Sequence, residues 1–157
     1  MRIITGIYKG RHFEVPRTFK ARPTTDFAKE NLFNMLRAYV DFEETSALDL
    51  FGGTGSITLE LLSRGCRRVV TVEKDRAHFA FICSCIDKLQ AREAAPLCTD
   101  ALRFIERSSE AFDLVFADPP YALPELPELP ERVLGSRLLR PGGIFVLEHG
   151  KHNDFSA

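Results

Sequence analysis

No stretch of this 157-residue sequence approaches the roughly 20 consecutive apolar residues that a membrane span requires, and no signal-peptide pattern opens it. A cytoplasmic protein without a membrane partner is therefore expected. Cysteine is scarce. Cys66, Cys83, Cys85 and Cys98 lack metal-ligand spacing, and Cys83 and Cys85 fall in an apolar, helix-like stretch, so buried reduced thiols are expected and no metal. Net charge is nearly absent as well, with 21 basic against 22 acidic side chains. At 45% apolar and 27% charged residues, the composition excludes long disorder and a disulfide scaffold. The length suits one domain spanning 1–157, expected to act as a monomer.

The balanced total hides an asymmetry. Residues 1–22 hold Arg2, Lys9, Arg11, Arg17, Lys20 and Arg22 against Glu14 alone, a net +5, while the rest of the chain carries −6. A basic arm on an acidic body suits a polyanion contacted at one end; a solvated basic hairpin accounts for the charge equally well.

Residues 1–7 and 11–15 read as the two runs of an amino-terminal β-hairpin around Tyr8-Lys9-Gly10. The core, 23–157, begins at Arg22-Pro23-Thr24-Thr25-Asp26, a stop followed by helix-start chemistry. Ala28, Leu32, Met35, Leu36 and Tyr39 then recur at helical spacing as far as about Val40. Beyond an acidic link at 41–45 the chain alternates. Strands are expected at 47–51, 69–73, 94–98, 112–117 and 143–148, with helices at 56–63, 75–89 and 101–107 between them. The second of these helices should bury Phe79, Ile82, Cys83, Ile86 and Leu89. Such alternation predicts an α/β fold, a doubly wound, mostly parallel sheet covered on both faces. Residues 123–131 repeat Leu-Pro-Glu three times; proline at every third position argues for loop or polyproline-like backbone up to Leu129, with a helix from Pro130 to about Leu138.

Asp49-Leu50-Phe51-Gly52-Gly53-Thr54-Gly55-Ser56 sits where the first strand hands over to a helix. Glycines there let backbone pass close to a ligand, and Glu73, at the end of the next strand, is placed to accept the hydroxyls of an adenosine ribose. The absence of a Lys-Ser/Thr pair excludes a nucleotide-triphosphate loop, and Thr58 stands where the dinucleotide fingerprint requires a third small residue. A carboxylate just ahead of the turn, Asp49, would repel a pyrophosphate but suits a positively charged amino-acid moiety, which favours S-adenosylmethionine.

The second motif, Asp118-Pro119-Pro120-Tyr121, follows the fourth strand at the carboxyl edge. Two prolines fix where the Asp118 side chain and the neighbouring carbonyls point. The Asp118 carboxylate and the Pro119 carbonyl can accept both hydrogens of an exocyclic amino group while Tyr121 stacks on the base. Asp100, after the third strand, is equally a helix N-cap or an acceptor for the adenine amine of the cofactor.

Taken in order, Met1–Gly6, Tyr8-Lys9-Gly10-Arg11, Arg22–Asp26, Asp49–Ser56, Leu62–Gly65, Glu73-Lys74-Asp75, Asp118–Tyr121 and Glu148-His149 make the chain resemble the bacterial small-subunit (16S) rRNA guanine-N2 methyltransferases. The resemblance implies a Rossmann-like class I methyltransferase that transfers a methyl group from S-adenosylmethionine to guanine N2 in small-subunit rRNA or an assembling subunit. It implies cofactor contacts at Asp49, Phe51, Gly52, Gly53, Gly55, Glu73, Lys74, Asp100, Ala101 and Thr24, and base contacts at Asp118, Pro119, Pro120 and Tyr121. Arg2, Lys9, Arg11 and Arg22 are the implied RNA contacts. The turn departs from the more frequent Ala-Gly-Ser-Gly of that family, and the family's closing β-hairpin beyond the fifth strand is expected to be absent. Three other readings remain: an adenine-N6 methyltransferase on DNA or RNA, a non-catalytic cofactor- and RNA-binding module, and a small dehydrogenase. The last is disfavoured by the misplaced third glycine.

Overall fold

The structure is a computed structural model that describes residues 1–21, 23–120 and 122–148; Arg22, Tyr121 and His149 lie outside the described residues. Five strands form one all-parallel sheet in the order β3-β2-β1-β4-β5: β1 Ser46–Asp49, β2 Arg68–Val72, β3 Ala94–Leu97, β4 Phe112–Ala117 and β5 Leu139–Leu147. All of β1 and nearly all of β2 and β4 are buried, which is why those runs show no polar alternation. Helices α1 Asp26–Leu36, α2 Ser56–Ser63 and α3 Arg76–Leu89 pack with the amino-terminal arm in one core that includes Ile57, Leu61, Val69 and Ile82. Helices α4 Ala101–Arg107 and α5 Leu129–Leu134 close the other, around Leu48, Val70, Phe112 and Val115. The expected doubly wound sheet is present. From β1 the chain winds one way through β2 and β3, then returns to the other side of β1 for β4 and β5, leaving a switch point between β1 and β4. Among the described residues no helix is long and apolar enough to cross a membrane.

Four local expectations need correction. The amino-terminal hairpin is present but shorter than expected: Arg2 and His12 form an antiparallel bridge, the Ile3 N–H donates to the Arg11 carbonyl and the Phe13 N–H to the Met1 carbonyl, both at 2.9 Å, while the amides of Ile4, Thr5, Ile7 and Tyr8 donate to α2. Gly6, at φ +100°, lies so close that a Cβ would sit 2.0 Å from the Ser63 carbonyl oxygen, a position only glycine tolerates. Helix α1 ends at Leu36, and its buried face is Lys29, Phe33 and Leu36; Met35 and Tyr39 are exposed. In α3 the inward side chains are His78, Ile82, Cys85, Ile86 and Leu89, so Cys85 replaces Cys83 and His78 replaces Phe79. Finally, residues 126–128 form a 3₁₀ turn leading directly into α5, which ends at Leu134. Three residues per turn place Leu126 and Leu129 on the same side, and both are buried. The triplet repeat thus anchors the chain to the core, where a polyproline-like loop would have left it on the surface.

Candidate functional site

The carboxyl ends of β1 and β4 flank a cavity of about 710 Å³ at the switch point. Asp49 closes β1, the glycine turn leads from it into α2, and Asp118-Pro119-Pro120 leaves β4 on the opposite wall. Asp49, Phe51, Gly52, Gly53, Glu73, Lys74, Asp100, Ala101, Thr24, Asp118, Pro119 and Pro120 all line this one space. Gly55 lies behind it.

The turn is glycine for reasons visible in its surroundings. Gly53 and Gly55 have φ of +58° and +85°. Gly52 has no room for a side chain, since a Cβ would meet Thr71 Cγ2 at 2.7 Å and Ile82 Cδ1 at 2.9 Å. Glu73 staples the turn from the end of β2: its Oε1 accepts from the Gly53 N–H at 2.8 Å and its Oε2 from the Asp75 N–H at 2.8 Å. Each oxygen keeps a further lone pair, and Glu73 lines the cavity.

Asp49 is buried. Its Oδ2 accepts from Thr58 Oγ1 at 2.8 Å, and Thr58 in turn touches Thr71 Oγ1 at 2.7 Å. The hydroxyl at position 58, out of place in a dinucleotide fingerprint, is here the residue that holds the Asp49 carboxyl. Asp49 Oδ1 has no hydrogen-bond partner among the described residues. Burial, with Asp118 and Glu73 adding negative charge, pushes the Asp49 carboxyl up to about 7. Asp118 is open to solvent at the cavity mouth; partial burial and the nearby Glu148 push it up to about 6. Pro119 behind it is buried. Asp100 caps α4 by accepting from the Arg103 N–H, which meets the helix N-cap expectation, and it also lines the cavity.

Of the expected RNA contacts, Arg2, Lys9 and Arg11 do not line the cavity. Arg2 pairs with Asp26 at 3.1 Å, Arg11 reaches the Lys88 carbonyl at the end of α3, and Lys9 is exposed on the turn against the end of α2. Lys20, Ala21 and His78 line the cavity although no motif marked them. Residues 19–21 belong to no periodic run, and a lone histidine in a helix gives no sign that it faces a ligand space. Among the described residues no group of three or more His, Cys, Asp and Glu side chains is arranged for a metal ion.

The model of the family described as "Conserved hypothetical protein 95" matches residues 1–157. The chain is 35% identical over 121 residues to ribosomal RNA small subunit methyltransferase D of Escherichia coli K12, covering 77% of this chain but 60% of that protein. Its identity to the Haemophilus influenzae protein of the same name is 30% over 155 residues, covering 96% of this chain and 79% of that one. Among solved structures, a hypothetical protein of Thermus thermphillus, TTHA0928, superimposes with a TM-score of 0.87 at 29% identity, covering 99% of this chain and 90% of the other.

Proposed function

This chain belongs to the conserved hypothetical protein 95 family, and we propose that it is a class I methyltransferase that uses S-adenosylmethionine to methylate the exocyclic N2 amine of a guanine in small-subunit rRNA. The observation that carries the reading is one cavity with an unpartnered buried carboxylate oxygen on Asp49 at one wall and Asp118-Pro119-Pro120 at the other. The names of the relatives support rRNA as the substrate class.

Bound in this cavity, the cofactor would supply an electrophilic methyl group on a sulfonium sulfur. Asp49 Oδ1 is suited to its ammonium group, the free lone pairs of Glu73 to its ribose hydroxyls, and Asp100 with Ala101 to its adenine. Phe51, Gly52, Gly53, Gly55, Lys74 and Thr24 complete the assigned cofactor contacts, Gly55 by shaping the turn from behind. A guanine flipped out of its stack is held by its amine: the Asp118 carboxylate accepts one N–H and the Pro119 carbonyl the other. Those two bonds draw the nitrogen toward pyramidal geometry and aim its lone pair across the cavity. Its proton would leave toward Asp118 as the C–N bond forms and the methyl–sulfur bond breaks, the electron pair staying on sulfur in S-adenosylhomocysteine, so alignment supplies much of the rate. Tyr121 is assigned to stack on the base, and Arg2, Lys9, Arg11 and Arg22 to RNA phosphates.

Incubation with labelled cofactor and unmodified small-subunit particles, followed by digestion to nucleosides, is expected to yield N2-methylguanosine. N6-methyladenosine in its place would select the adenine alternative, and no transfer to any RNA would reject the guanine reading and leave adenine methylation on DNA alone. The Asp49 carboxyl makes a second prediction. Cofactor ammonium binds its charged form, so S-adenosylhomocysteine affinity should rise about tenfold between pH 6 and pH 8 and level off above, as the fraction ionised around pH 7 dictates. Calorimetry on Asp49→Asn should show weaker, pH-independent binding. Stability moves the opposite way. The folded carboxyl titrates above its unfolded value, so its contribution is complete below about pH 4 and lost as pH rises through 7.

A further inference from the structure

We propose that His78 is a positioning residue that fixes Phe19-Lys20-Ala21 as a preformed wall of the cofactor cavity; the proposal rests on the cofactor reading above. Residues 19–21 lie between the arm and α1 in a segment with no regular secondary structure, yet two of them, Lys20 and Ala21, line the cavity. Such a segment has no strand ladder or helix to hold it and needs another anchor. His78, in the first turn of α3, provides one. The Phe19 ring stacks on the imidazole with centroids 4.2 Å apart and planes 27° apart, and meets Phe81 edge-on at 5.5 Å. Phe19 is buried by these contacts although it sits in irregular chain. Two residues further on, the Ala21 N–H points at His78 Nε2 at 3.4 Å.

The far side of the imidazole is set by the helix itself. Asp75 caps α3, accepting from the His78 N–H at 3.0 Å, and the same Oδ1 lies 2.9 Å from His78 Nδ1. The Ala21 N–H requires Nε2 as its acceptor, which places the ring proton on Nδ1; that atom lies close to the carboxylate but makes no hydrogen bond among the described residues. The Ala21 methyl in turn lies over the glycine turn, 3.6 Å from where a Cβ on Gly53 would be. Asp75 is the residue whose N–H Glu73 accepts. One chain of contacts therefore joins the ribose-side carboxylate, the α3 cap, the imidazole and the wall that faces Gly53. Ordering this wall in advance removes an entropic cost from ligand binding, which is how a side chain outside the reacting groups raises affinity.

The test compares wild type, His78→Ala and His78→Gln by calorimetric titration with S-adenosylhomocysteine and by amide exchange at Ala21 without ligand. His78→Ala loses the ring stack and the acceptor together, and is expected to weaken binding about tenfold, the equivalent of one hydrogen bond and its packing. Turnover at saturating cofactor should stay within about twofold, and Ala21 exchange should quicken. Gln places an amide oxygen near the position of Nε2, so His78→Gln should recover most of the affinity and protection, which a purely structural histidine would not require. Binding by His78→Ala within about twofold of wild type, or unaltered Ala21 exchange, overturns the proposal. If wild type binds no S-adenosylhomocysteine while exchange still depends on residue 78, the cofactor reading fails and the anchoring of the wall stands.

Discussion

Replacing Asp118 by alanine is expected to lower methyl transfer about 10²–10³-fold, the range found when one preorganised hydrogen-bonding group is removed from a reacting centre. S-adenosylhomocysteine binding should remain within a few-fold of wild type. The two effects separate because Asp118 lies across the cavity from the glycine turn, and neither Glu73 nor Asp100 depends on it for a hydrogen bond. Its negative charge also contributes to holding the Asp49 carboxyl up near 7, so its removal should, if anything, favour the ionised Asp49 that a cofactor ammonium needs. Asp118→Asn keeps one carbonyl oxygen that can accept an amine hydrogen and should retain more activity than alanine. The carboxyl also sets a pH dependence. Pushed up to about 6, Asp118 is ionised at pH 7.5 and accepts a hydrogen bond; below pH 6 it is a neutral acid with one acceptor position lost. Initial rates at saturating cofactor should therefore fall through pH 6 in wild type and not in Asp118→Asn. Saturation matters, because Asp49 titrates about one pH unit higher and acts on cofactor affinity. Unchanged turnover in Asp118→Ala would remove the basis for the base-binding assignment.

The parts of this molecule that could be read from its sequence are those whose signal is local. Continuous apolar runs at β1, β2 and β4 announce strands buried on both faces, and Thr25, Asp75 and Asp100 announce helix starts because a cap is a bond to a residue three positions away. The glycine turn and Asp118-Pro119-Pro120 are also contiguous, and they line one cavity. Readings failed where the deciding contact was distant in sequence. Periodicity placed Met35 and Tyr39 on the buried side of α1; the side that is buried carries a lysine, because its partners come from the arm and α2. The arm was read as a hairpin and is one through residues 1–3 and 10–13, but the extent of that pairing was misjudged, because the amides of Ile4, Thr5 and Tyr8 are taken up by Glu60 and Ser63 some 55 residues later. His78 carries no local sign of its position, since the aromatic ring that covers it is 59 residues earlier.

A buried ion pair that holds three segments together is also of this distant kind. Glu60 has no solvent exposure, and its carboxylate accepts from the Ile4 N–H at 2.9 Å, the Thr5 N–H at 3.1 Å and Arg64 Nε at 2.9 Å, with Lys29 Nζ 3.5 Å away. Lys29, 1% exposed, divides its ammonium between Glu60, the Arg2 carbonyl at 2.7 Å and Ser56 Oγ at 3.0 Å; burial pulls its titration down while Glu60 opposes that shift. The arm, α1 and α2 meet at this one carboxylate. Glu60→Ala strands a buried ammonium and two backbone donors together, so the expected loss is about 3–5 kcal/mol, the cost of breaking a buried ion pair from one side. Against a total of about 5–15 kcal/mol for an ordinary domain, that approaches unfolding at 37 °C. Urea denaturation gives the measure. Glu60→Gln keeps the volume and an acceptor and should lose less, and the paired change Lys29→Met with Glu60→Leu removes both charges and should recover part of the loss. An interaction energy near zero in that double-mutant cycle would mean that the two charges act independently, and that the arm is held by its backbone hydrogen bonds alone. Because Ser56 opens α2 at the cavity wall and receives the Lys29 hydrogen bond, a marked loss on breaking the pair should also loosen the glycine turn, visible as weaker S-adenosylhomocysteine binding in whatever fraction of Glu60→Gln remains folded.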